Sequence, residues 1–118
     1  MRPTFVVIGA AKCGTTSLCQ LLGQHPEVFM TARKELHYFS FDRNFERGPG
    51  WYEAWFEGGA AFPQRGEGSA SYTARRLFPR AAQRMATYDP GLKLVYIARD
   101  PLARIESAWQ QADALTDH

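Results

Sequence analysis

The hydrophobic pattern along the chain alternates between short apolar runs and helical spacings. Residues 4 to 9, TFVVIG, are β-branched and apolar and lie between Pro3 and Gly9, the reading of a buried parallel strand. Thr15 to Leu22 predict a helix, with Leu18, Cys19, Leu21 and Leu22 on a broad apolar face and Gly23 and Pro26 as stops. Residues 27 to 30, EVFM, suggest a short second strand. Residues 31 to 50 are rich in charge, end in RGPG and read as loop. Residues 51 to 57, WYEAWFE, suggest a short aromatic helix. Residues 66 to 73, GEGSASYT, are small and polar and read as a loop around a strand end. Arg75 to Tyr88 predict a second helix with Leu77, Phe78, Ala81, Met85 and Tyr88 near helical spacing. Asp89, Pro90 and Gly91 make a turn before another strand, LKLVYIA, at residues 92 to 98. Asp100 then caps a last helix, with Pro101 at its first position and Leu102, Ile105, Trp109 and Ala112 along it.

Strand, loop and helix, repeated later as strand, turn and helix, argue for an α/β fold with a parallel sheet. Ligands of such sheets sit at the carboxyl ends of the strands. Two such ends carry anion-friendly residues here, GAAKCGTTS after the first strand and ARDPLARIES after the late one. Together they suggest a ligand with two separated anionic groups.

Composition narrows the class. The chain has 118 residues, enough for one small domain, and its 45% hydrophobic and 22% charged residues are ordinary for a globular protein. A net charge of +2 gives no argument for nucleic acid. No apolar run approaches the ~20 residues of a membrane span, and the start has no signal-peptide core. Cys13 and Cys19 are too few and too close for a disulfide framework, so a reduced, cytoplasmic setting is expected.

The first loop resembles a phosphate loop with its lysine displaced. In the pattern G-x-x-x-x-G-K-S/T the lysine follows the second glycine. Gly9 and Gly14 keep that spacing, but Thr15 stands where the lysine belongs and Lys12 precedes Gly14. Amides near Gly14, Thr15 and Thr16 open a helix, where unpaired N–H groups and the helix dipole favour an anion. Lys12 adds a movable charge and the two threonines add hydroxyls. Cys13 reads as a small loop residue and Cys19 as core. At the second end, Arg99 can fork two donors onto one phosphate and Ser107 can add a third. Arg104 could assist or pair with an acid.

Taken together, GAAKCGTTSL and LVYIARDPLARIESAW resemble the sulfotransferase family that uses 3'-phosphoadenosine-5'-phosphosulfate (PAPS). The resemblance implies a three-layer, P-loop-like fold whose central parallel sheet is flanked by helices. It implies that Lys12, Cys13, Gly14, Thr15 and Thr16 meet the 5'-phosphosulfate, and that Arg99 and Ser107 hold the 3'-phosphate. Lys12 would also stabilise the departing phosphate oxygen. KELHYF, Lys34 to Phe39, resembles the K-E-x-H-x-F element of the bacterial and heparan-type branch, in which the glutamate is the base. GEGSASY, from Gly66, resembles an element reading G-E-K-S/T-P-A/S-Y, with Gly68 here in place of lysine and Ala70 in place of proline. GWYEAWF, from Gly50, also has a counterpart.

By that resemblance the chain is a sulfotransferase with PAPS as co-substrate and adenosine 3',5'-bisphosphate (PAP) as product, and it needs no metal. The acceptor would be a carbohydrate or a small molecule bearing a hydroxyl or amine. Glu35 is the candidate base and His37 its rival, since imidazole titrates near neutrality. An extended segment would point both to one side. Their structural alternatives are a salt bridge of Glu35 with Lys34 or Arg33, and a packed His37 ring beside Tyr38 and Phe39. Relatives of this type run to about twice this length, consistent with ordinary α/β domain sizes. The expectation is therefore the N-terminal portion of one domain, residues 1 to 118. Its incomplete sheet would leave apolar surface for a partner or an oligomer, and it would be inactive if the missing part is needed. Two other classes stay open: a P-loop nucleotide kinase or NTPase, and a non-catalytic nucleotide-binding relative.

Overall fold

The computed structural model describes residues 1–9 and 15–97. Four parallel strands form one sheet: β1 (Phe5–Gly9), β2 (Val28–Met30), β3 (Gln64–Gly68) and β4 (Lys93–Tyr96), in the order β2-β3-β1-β4. Helix α1 (Thr15–Gly23) follows β1, and α2 (Asp42–Phe45) and α3 (Pro49–Ala54) lie between β2 and β3. A 3-10 turn at Ala70–Thr73 and helix α4 (Ala81–Tyr88) join β3 to β4. The α/β class with a parallel sheet is thus as expected.

Alternation along the strands sends neighbouring side chains to opposite faces. Val7 and Gly68 face α1, where a Cβ built at Gly68 would lie 2.5 Å from Cys19 Sγ and 3.7 Å from Val7 Cβ. Val6, on the other face, joins a buried cluster with Leu36, Tyr38, Phe39, Tyr52, Phe56 and Tyr72, closed by Ala81 and Met85 of α4. Tyr38 and Tyr52 stack with ring centroids 4.4 Å apart, and Phe39 meets Tyr52, Tyr72 and Tyr88 edge-on. Edge-to-face pairs are a favoured aromatic geometry. One face of the sheet therefore carries a helix and the other an aromatic core.

The connection from β1 runs through α1 on the first face, and that from β3 runs through α4 on the second. Adjacent β1 and β3 therefore send their chains to opposite sides. Such a switch point opens a crevice outside their carboxyl ends.

Several expectations need correction. The segment read as a loop around a strand end, residues 66 to 73, begins inside β3, whose sequence QRGEG has no apolar side chain. It pairs with β1 at Phe5↔Gly66, Val6↔Glu67 and Val7↔Gly68. Gly66 fits because its missing Cβ leaves room for the Phe5 ring. The helix predicted from Arg75 starts only at Ala81. Pro79 disfavours helical geometry at Phe78, so residues 75–80 run in turns and Leu77 is exposed. The long loop at 31–50 holds α2 and the start of α3, with Pro49 in the first turn of the latter. The apolar face of α1 is not buried among the described residues: only Thr15 is, while Leu21 is 64% exposed. The last helix, from Asp100, lies outside the described residues.

Gly66→Ala forces the Phe5 ring to move and should destabilise the chain by about 1–3 kcal/mol in urea unfolding. Phe5→Leu in the same chain should recover part of that loss, since the two sites share one space. An unchanged midpoint in Gly66→Ala would contradict this packing.

Candidate functional site

The crevice is a cleft of about 420 Å³ between α1 and the chain after β2, lined by Thr15, Cys19, Gln20, Arg33, Glu35 and Gly68 among others. Of the residues expected to form the site, Thr15 and Thr16 open α1 at this cleft and Glu35 faces it. Lys12, Cys13, Gly14, Arg99 and Ser107 lie outside the described residues. Cys19, expected in the core, is half-buried on the cleft wall. Burial raises its thiol pKa, and the Glu35 and Glu67 carboxylates add to this, which makes it a poor nucleophile.

The segment carrying Glu35 and His37 is not extended. Both residues have positive φ, 55° and 52°, the only non-glycine residues to do so among those described. Such conformations cost about 1–3 kcal/mol each and persist where surrounding structure fixes them. Hydrogen bonds to the end of β3 and the turn after it do so here. Glu35 N–H donates to Gly68 O at 3.1 Å, His37 N–H to Ser69 Oγ at 3.1 Å and Tyr38 N–H to Tyr72 Oη at 3.0 Å. Asn44 Nδ2, from α2, donates to Leu36 O at 3.0 Å. The turn repays the contact: Ala70 N–H donates to Glu35 Oε2 at 3.0 Å.

This fold of the segment brings the two candidates together by a route other than strand alternation. Glu35 Oε2 lies 3.7 Å from His37 Nε2, an electrostatic contact beyond hydrogen-bond length. The His37 ring stacks on Phe41 at 4.4 Å and its Nδ1 meets Ser71 Oγ at 2.6 Å, which in turn meets Ser40 Oγ at 2.7 Å. Glu35 therefore pairs with His37 and the Ala70 amide, rather than with Lys34 or Arg33. The packing partner of the His37 ring is Phe41. Burial lowers the His37 pKa, Arg33 acts the same way, and Glu35 opposes them. A neutral ring follows near pH 7, its Nδ1 joined to Ser71 Oγ and its Nε2 on the Glu35 side. The carboxylate side chain is 38% exposed and its Oε1 has no hydrogen-bond partner among the described residues, whereas His37 is tied at one nitrogen and stacked. The arrangement can take a proton at Glu35 Oε1 from a group held in the cleft.

The hydroxyls that build this geometry, Ser69, Ser71 and Tyr72, were read as a small polar loop within a family-like element, with no role given to any of them. Their signal was the GEGSASY stretch itself, in which a glutamate precedes three hydroxyl side chains. Among the described residues no group of three or more His, Cys, Asp or Glu side chains converges on a metal position. None of their helices is long and apolar enough to cross a membrane.

A parallel sheet with a partly exposed carboxylate at its switch point defines an α/β domain whose crevice is shaped by β1 and β3. The chain belongs to the sulfotransferase family: the sulfotransferase domain matches residues 2–118. It is 33% identical over 105 residues to the membrane-associated sulfotransferase kil1 of Dictyostelium discoideum, covering 86% of this chain and 21% of that protein. It is 32% identical over 111 residues to heparan sulfate glucosamine 3-O-sulfotransferase 5 of Homo sapiens, covering 92% of this chain and 30% of the relative. The crystal structure of a sulfotransferase from Alicyclobacillus acidocaldarius superimposes with a TM-score of 0.75 at 32% identity, over all of this chain and 53% of that one. The chain thus spans about a fifth to a third of these curated relatives and about half of the bacterial structure.

A His with a lowered folded pKa stabilises the fold above its unfolded value, and that stability is lost as pH falls through the folded pKa. Between about pH 7.5 and 5.5, which spans the ordinary imidazole range, the parent should lose more unfolding free energy than His37→Gln does. Urea titrations at each pH measure this, and equal losses would contradict a half-buried neutral ring.

Proposed function

We propose that this chain carries the sulfuryl-transfer site of a sulfotransferase that uses PAPS and acts on a carbohydrate hydroxyl or amine, releasing PAP. One observation carries the reading. The Glu35 carboxylate faces the crevice at the ends of β1 and β3, held at Oε2 by the Ala70 amide and free at Oε1 of any partner among the described residues. Family membership supports the reaction class, and the heparan sulfate glucosamine 3-O-sulfotransferases among the relatives support a carbohydrate acceptor.

The described part of the loop suits an anionic donor. Helix α1 opens at Thr15 with Thr16 beside it and has no acidic side chain in its first turn. The dipole of a helix favours negative charge at such an end. In this reading Lys12, Cys13, Gly14, Thr15 and Thr16 bind the 5'-phosphosulfate end, and Arg99 and Ser107 bind the 3'-phosphate. The donor supplies the activated sulfuryl group.

Glu35 Oε1 takes the proton of the acceptor hydroxyl or amine as that atom bonds to sulfur and the sulfur–oxygen bond to the 5'-phosphate breaks. Lys12 stabilises the charge left on that phosphate oxygen. The work of the protein is positioning and charge stabilisation, as in phosphoryl transfer. His37 supports Glu35 from one side, its ring fixed by Ser71 and Phe41.

Transfer of a radiolabelled sulfuryl group from PAPS to a heparan-type polysaccharide tests this. Glu35→Gln should lower the rate by about 10²–10⁴-fold while PAP binding is retained. His37→Gln should lower it less. An unchanged rate in Glu35→Gln would remove the proposed base, and a larger loss in His37→Gln would transfer that role to the imidazole.

A further inference from the structure

Glu67 is fully buried in the middle of the sheet and does not face the cleft. Its carboxylate accepts three hydroxyl hydrogen bonds: Tyr52 Oη at 2.8 Å and Tyr72 Oη at 2.7 Å to Oε2, and Ser69 Oγ at 2.5 Å to Oε1. Two of these hydroxyls also receive backbone amides from the segment that carries Glu35. His37 N–H donates to Ser69 Oγ and Tyr38 N–H donates to Tyr72 Oη. An amide can only donate, so each hydroxyl must accept there and send its own proton elsewhere. In both cases that proton goes to Glu67.

We propose that Glu67 is a positioning residue for Glu35, fixing the Ser69 and Tyr72 hydroxyls as acceptors for the His37 and Tyr38 amides. These two amides lie two and three residues after Glu35 and hold the left-handed turn that aims its carboxylate. Glu67 sits on β3, two residues before Ser69, and Gly68 between them receives the Glu35 amide. The buried acid, the strand end and the carboxylate at the cleft are thus joined through short, directional bonds. Buried networks of this kind specify one geometry when every member is satisfied, and no buried side-chain nitrogen or oxygen among the described residues lacks a partner.

The kinetic part of the test rests on the sulfuryl-transfer reading, while its structural part needs no turnover. Glu67→Gln keeps the volume but turns an N–H₂ group toward at least one hydroxyl whose proton already points at it. That hydroxyl must rotate and can no longer serve its amide in the same way. If Glu67 positions Glu35, the folded Glu67→Gln chain should exchange the His37 and Tyr38 amide protons about tenfold faster or more. The His37 ring should titrate nearer its ordinary value. Sulfuryl transfer should fall roughly 10- to 100-fold with KM for the donor unchanged. In a Glu35→Gln background the same substitution should cost no further rate.

Unchanged exchange at His37 and Tyr38 in folded Glu67→Gln would overturn the proposal. An equal rate loss with and without Glu35 would overturn it too. Should Glu67→Gln fail to fold by circular dichroism, Ser69→Ala carries the same test on the His37 branch alone, and there unchanged exchange and titration at His37 would overturn the proposal. Should Glu35→Gln itself leave transfer intact, the assignment of Glu35 as base fails, and exchange and titration still decide the positioning.

Discussion

A carboxylate buried in a parallel sheet is the constraint on which this structure turns. Desolvation raises the Glu67 pKa, and the Ser69, Tyr72 and Tyr52 hydroxyls act in the opposite sense by bonding to its charged form. Without them an isolated buried charge would cost many kcal/mol. Their presence explains the composition of the core. Tyr52 and Tyr72 are buried where Phe would pack as well, because each must deliver a hydroxyl to Glu67. The aromatic cluster thus satisfies a polar group while it buries apolar surface, and α3 and the turn after β3 are tied to the sheet through one carboxyl group.

The same interaction reaches the site because of topology. Strands β1 and β3 are neighbours whose onward connections run over opposite faces. The space beyond their ends is therefore open, and three segments meet there: the start of α1, the loop after β2 and the turn after β3. Glu35 is placed by the second of these and anchored by the third. Glu35 and His37, both with positive φ, are strained positions at a site, a combination that a stable scaffold sustains when its hydrogen bonds outweigh the strain. The cleft wall that faces Glu35 is α1, whose first turn carries Thr15 and Thr16 and no acid.

Much of this was legible from the residues, and the exceptions have physical causes. Strands β1 and β4 and helix α1 announced themselves through apolar runs and glycine or proline punctuation. Thr15 and Thr16, picked out by the phosphate-loop pattern, and Glu35, picked out by resemblance, do line one cleft. Strand β3 was illegible because its stability is tertiary: Gly66 fits under Phe5, and Glu67 is acceptable only where hydroxyls from distant segments surround it. The left-handed turn at Glu35 and His37 carried little local signal, since positive φ is uncommon for any residue but glycine, even though histidine tolerates it better than most. Hydrogen bonds from residues about thirty positions later select it. The helix before β4 was overextended because apolar spacing continued through Pro79, whose ring constrains the residue before it.

The central claim is that a doubly phosphorylated nucleotide binds at the cleft shared by α1 and Glu35. Amide chemical-shift mapping with PAP, and with ADP and Mg²⁺ as the comparison, tests it most directly. The account predicts saturable shifts from PAP at Thr15, Thr16, Cys19 and Gly68, with weaker effects from ADP. Shifts confined to the far side of the sheet around Met85 and Tyr88, or equal effects from the two nucleotides, would contradict it.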